Sequence, residues 1–128
     1  MNKLMTILSA IVVIGAVAGP AFALTGALNP TGTFVDQWGT SFSFTPCGTS
    51  LCGTLEVLKG NSATATNLAF VGKQVMQAKQ VGTNTWKGSI NAGGMSADAT
   101  VTQTSANTIN IQGCRALILC QTITYTRQ

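Results

Sequence analysis

From position 31 onward the chain alternates apolar and polar residues in short runs broken by turn-forming residues, the period-two pattern of antiparallel strands with one buried face. No stretch sustains a helical period of about 3.6 residues. Residues 32–35 open a first strand, and Asp36, Gln37, Trp38 and Gly39 form a turn. Residues 41–47 set Phe42 and Phe44 on one face, and residues 51–59 return across a hairpin at Gly48. Residues 60–67, rich in Ser, Ala, Thr and Asn, read as an exposed loop and the least structured stretch.

The second half alternates more cleanly. Residues 73–81 make a strand, Gly82, Thr83 and Asn84 a turn, and residues 85–91 a strand with Trp86, Gly88 and Ile90 opposite Lys87 and Ser89. Ala92, Gly93 and Gly94 turn the chain into a strand whose inner face is Met95, Ala97, Ala99 and Val101. Residues 103–107 turn again. Ile109 and Ile111 then face in, and residues 122–127 repeat the pattern with Ile123 and Tyr125. The prediction is an all-β antiparallel meander of about eight strands, and closing it into a small barrel removes the sheet edges that a sandwich would leave exposed.

Ahead of this pattern, Lys3 precedes an apolar run over residues 4–17, a breaker pair Gly19 and Pro20, and the small-residue signature Ala21, Phe22, Ala23. That order is a secretory signal, residues 1–23, leaving one domain over residues 24–128. The run is shorter than the roughly 20 residues of a bilayer crossing, so no transmembrane segment is expected after cleavage. The expected location is the periplasm or the extracellular space.

Composition narrows the chemistry. The domain holds six basic residues against three acidic ones (Asp36, Glu56 and Asp98), a dispersed excess of three that lacks the dense stripes of a nucleic-acid footprint. The four cysteines, Cys47, Cys52, Cys114 and Cys120, all lie in the exported part and imply two disulfides. Four cysteines allow three pairings; turn chemistry favours Cys47 with Cys52, facing each other across a hairpin, and Cys114 with Cys120, bracketing a short loop. Each small ring would stabilise the fold by roughly 2 kcal/mol in the chain-entropy model. A four-thiolate zinc site is the alternative, opposed by the spacings and by export.

The chain has no histidine, which removes Ser-His-Asp and Cys-His nucleophile machinery and His-based metal sites. Its three carboxylates read as solvated surface groups rather than as a glycosidase pair. No Cys-x-x-Cys motif and no phosphate loop is present. No enzyme activity, cofactor or metal is therefore expected. Two features could carry binding: a barrel interior lined by Met76, Trp86, Ile90, Met95 and Ala97, which otherwise simply fill the core, and the apolar ring between Cys114 and Cys120. In that ring Leu117 and Ile118 would either plug one end of the barrel or contact a partner.

The run Cys47, Gly48, Thr49, Ser50, Leu51, Cys52, Gly53 and the ending Ile111, Gln112, Gly113, Cys114, then Cys120, then Tyr125, Thr126, Arg127 resemble a bacterial exported family catalogued as domain of unknown function 2147. The resemblance spans residues 32–127 and implies a lipocalin-like barrel without established activity. The chain departs from that family in carrying Tyr125 where Trp is usual and a bland stretch over residues 60–67. Calycin barrels, to which this is similar, pair an aromatic of a Gly-x-Trp step on the first strand with a base on the last. Here Gly32, Thr33, Phe34 and Arg127 would take those places, closing the barrel with Arg127 within about 6 Å of the Phe34 ring.

The expected function is that of a non-enzymatic exported binder of a small hydrophobic molecule or envelope component. The alternative is a protein-interaction or inhibitor module of the envelope acting through its loops. A cavity of several hundred Å³ would favour the binder.

Overall fold

The computed structural model describes residues 27–92, 95–115 and 119–128. The expected leader over residues 1–23 lies outside the described residues. Eight antiparallel strands run in chain order around a closed barrel: β1 Gly32–Val35, β2 Ser41–Cys47, β3 Ser50–Val57, β4 Gln74–Gly82, β5 Thr85–Ala92, β6 Met95–Ser105, β7 Thr108–Cys114 and β8 Cys120–Arg127. Closure is made where β1 meets β8, with Phe34 opposite Arg127 and Val35 opposite Thr126.

Alternation along these strands sends one set of side chains inward, where Phe34, Phe44, Met76, Val101 and Ile109 are fully buried. Aromatic rings run through this interior. Phe34 meets Phe44 edge-on at 5.9 Å between centroids, Phe44 meets Phe42 at 6.1 Å, and Phe42 meets Tyr125 edge-on at 5.5 Å. Gly53 makes room for them, since a Cβ there would stand 3.1 Å from both Phe44 and Met76.

The two ends of the barrel are built differently. One end carries the short turns at Gly48 and Thr49, Thr83 and Asn84, and Ala106 and Asn107. Asn84 takes a positive φ of 59°, a backbone region asparagine tolerates better than most residues. The other end carries the longer connections 36–40, 58–73 and 115–119.

Both disulfides are present as cross-strand links. Cys114 and Cys120 face each other directly in the β7–β8 register, with Cα atoms 4.0 Å apart. Cys47 and Cys52 do not face each other as expected: Cys47 pairs with Ser50 and Cys52 with Thr45, so their bond runs diagonally over 5.8 Å between Cα atoms. The cause is that β3 begins at Ser50, which leaves a tighter turn than the sequence implied. With all four cysteines in disulfides, the zinc alternative falls.

Residues 60–67 are exposed, as expected, but more ordered than expected. Gly60–Ser62 form a 3-10 turn, and a single helical turn, α1, spans Ala65–Leu68. Thr64 caps it by accepting the Asn67 backbone N–H at 3.2 Å. One turn is too short to leave a readable period. Similarly, the expected turn over 103–107 is mostly strand: β6 continues to Ser105 because Gln103 pairs with Ile109 and Ser105 with Thr108 on β7.

Candidate functional site

A barrel with two open ends is a channel, so the first question is which end is shut. At the short-turn end the backbone over residues 27–31 lies across the opening as a strap. The Leu28 N–H donates to Asn84 Oδ1 at 2.8 Å, and Gln103 Nε2 donates to the Asn29 carbonyl at 2.8 Å. Arg127 completes the closure. Its Nη2 donates to the carbonyls of Asn29 and Ala106, its Nη1 to that of Thr31, and its Nε to that of Ala106, all between 2.7 and 3.0 Å. The same guanidinium sits 4.6 Å from the Phe34 ring centroid, within the 6 Å expected. A side chain on Gly32 would collide with it, since a Cβ there stands 2.5 Å from Nη1, and φ at Gly32 is +137°. Arg127 is therefore a half-buried cross-brace rather than a solvated terminal charge.

At the opposite end the interior is not filled. An apolar chamber of about 200 Å³ is lined chiefly by Phe42, Leu55, Leu58, Val75, Ile90, Ala92 and Ala97. Two irregularities in strand pairing help to produce it. Between Gly53 and Thr54 the β3–β4 register slips, so Val75 and Met76 are both buried although they are neighbours in sequence. A second slip between Ser41 and Phe42 separates the partners Val57 and Leu55 on β3. Such bulges bend the strand and re-aim side chains.

The chamber adjoins a more polar vestibule of about 420 Å³, with Phe42, Leu58 and Ser62 common to both linings. Asp36, Trp38, Lys59, Gln121, Ile123 and Tyr125 contribute to the vestibule walls. Two loops frame it through Thr40, whose Oγ1 accepts from the Lys59 backbone N–H at 3.0 Å and donates to the Lys59 carbonyl at 3.2 Å. Asp36 holds its own turn: Oδ1 accepts the backbone N–H groups of Trp38 and Thr40, each at 2.9 Å. Burial, and secondarily the Asp36 charge, hold the Tyr125 phenol well above its ordinary pKa.

The residues anticipated as an interior lining divide. Met76 and Trp86 are buried in the core, whereas Ile90 and Ala97 line the chamber. The Met95 side chain and both Leu117 and Ile118 lie outside the described residues. Leu119, next to them, is exposed. Of the three carboxylates, Glu56 and Asp98 are exposed on strands, and Asp36 alone among the described carboxylates lines the mouth. Leu55, Leu58, Val75, Ala92 and the Asp36–Tyr125 pair escaped the sequence reading. Only the apolar character of Leu55 and Val75 hinted at them.

Among the described residues no group of three or more His, Cys, Asp or Glu is placed to hold a metal, and no helix is long and apolar enough to cross a membrane. No family model and no curated protein matches the chain, which leaves the exported family a resemblance in the two cysteine-bearing ends. Solved structures do match. Protein HP1028 from the human pathogen Helicobacter pylori, described as belonging to the lipocalin family, superposes with a TM-score of 0.56 at 12% identity, covering 80% of this chain and 84% of that one. The fold is lipocalin-like. A redesigned β-barrel superposes with a TM-score of 0.54 at 15% identity, covering 77% of this chain and 91% of its own. Both likenesses, at 12% and 15% identity, are likenesses of fold. The mouth, not the fold, is therefore where a function must be sought.

Proposed function

We propose that this protein is an exported, non-enzymatic binder of a small, largely apolar molecule, held in the chamber at the open end of the barrel. The observation that carries the reading is a shut, packed end opposed by an unfilled apolar chamber of about 200 Å³. The chamber is small for a ligand pocket by itself and reaches that size where it opens into the vestibule of about 420 Å³. Export, to the periplasm or beyond a bacterial cell, is supported by two disulfides and by the leader-like order of residues 1–23. Membership of the exported family named above is part of the same proposal.

Calorimetric titration with straight-chain 1-alkanols tests it. Affinity should rise by about 0.8 kcal/mol for each added methylene while the chain fits the chamber, then level off. Ala97→Phe, which fills the chamber from its wall, should abolish binding without lowering the thermal midpoint. Absence of binding, or binding indifferent to Ala97→Phe, would move the function to the loops. There Trp38, 51% exposed, and Leu119, 60% exposed, favour the second reading, a protein-interaction module of the envelope.

A further inference from the structure

The chamber and the vestibule differ in charge, and that difference bears on what kind of molecule spans them. No charged residue lines the chamber. The vestibule has two charged residues, Asp36 and Lys59, and they are placed unequally. Lys59 is exposed, with its stem running along Gly39 at the rim. Asp36 is half-buried, and its Oδ1 is committed to the Trp38 and Thr40 backbone N–H groups. Its Oδ2 has no hydrogen-bond partner among the described residues. Tyr125, buried in the same wall, feels the Asp36 charge. Glu56, Lys73 and Arg115, near this end on the neighbouring chain segments, are all exposed. The charge that the walls enclose is therefore negative, and Trp38 adds an aromatic face beside it.

We propose that the site takes a cationic amphiphile, with an ammonium group in the vestibule against Asp36 and Trp38 and an apolar body in the chamber. At roughly 30 Å³ for each water-sized group, the chamber accommodates a body of about seven heavy atoms. A carboxylate or phosphate headgroup would meet the enclosed negative charge and be disfavoured. This inference rests on reading the mouth as a ligand site.

The test compares heptylamine, 1-heptanol and heptanoate by calorimetry at neutral pH, on the native protein and on Asp36→Asn. Asparagine keeps the oxygen that accepts from Trp38 and Thr40, so the turn and the thermal midpoint are retained while the charge is lost. Heptylamine should bind at least tenfold more tightly than either of the others to the native protein. In Asp36→Asn that advantage should vanish while 1-heptanol binding stays unchanged. Equal affinities, a preference for heptanoate, or an amine advantage that survives Asp36→Asn would overturn the inference on headgroup charge and leave the cavity reading standing. Failure of all three ligands to bind would overturn both.

Discussion

The two ends of this barrel use the same strands to opposite effect. At the strapped end, short turns, the 27–31 segment and the Arg127 guanidinium converge on backbone carbonyls, and the rings of Phe34 and Phe44 occupy the interior behind them. Pairing slips at both ends, at Gln80/Gly82 and Gln103/Ser105 near the strap and twice beside β3 near the mouth. Only at the mouth do the connections lengthen and space open among Leu55, Val75 and Ile90. The lesson is that a small barrel can place most of its packing in one half and keep the other half available, because side-chain packing is local while the hydrogen-bonded ladder is continuous.

The contrast can be broken most severely by removing volume. Phe44→Ala, in the filled half, should cost about 4 kcal/mol, whereas Ile90→Ala, half-buried and already bordering empty space, should cost about 2 kcal/mol. Urea denaturation of the pair measures this, and equal costs would mean that the mouth is as tightly packed as the floor. Next in size is Arg127→Lys, which retains the charge but not the planar fork that reaches Asn29, Thr31 and Ala106. A loss of about 2 kcal/mol is expected, with faster amide exchange at Leu28 and unaltered exchange in the strand residues of the mouth.

Read within one pH unit above the ordinary phenol value, the smallest effect is pH-dependent and belongs to Tyr125, the chain's single tyrosine. Burial, with the Asp36 charge second, raises its folded pKa above the ordinary phenol value of about 10 that the unfolded chain keeps. The folded state therefore holds the phenolic proton more tightly than the unfolded state does. Its contribution is complete below the unfolded value and declines as pH climbs past it, by about 1.4 kcal/mol per unit until the folded value is reached. Phenolate absorbance should accordingly appear together with unfolding, and Tyr125→Phe should flatten the alkaline loss.

Much of this architecture was legible from period-two alternation. Phe42 and Phe44, Ile109 and Tyr125 are all buried where the pattern put them, because a pleated strand leaves its residues only two faces. The Phe34–Arg127 brace was legible through resemblance and through a glycine two residues before the ring. The mouth was much less so. Val75 precedes Met76 and both are buried, which alternation forbids and only a slipped register permits. A slip is decided jointly by two strands, so neither strand's sequence announces it. Asp36 was read correctly as a turn residue, yet its place in the mouth depends on Tyr125, which lies on β8 at the far end of the sequence.

The strap has a practical corollary. Since residue 28 is fastened beside Asn84 and the Gln128 N–H donates to the Thr33 carbonyl at 2.8 Å, both ends of the folded domain emerge from the same pole. A tether attached at either one, whether a surface linker or a fused carrier, would hold the molecule like a cup by its base, with its rim turned toward whatever passes by.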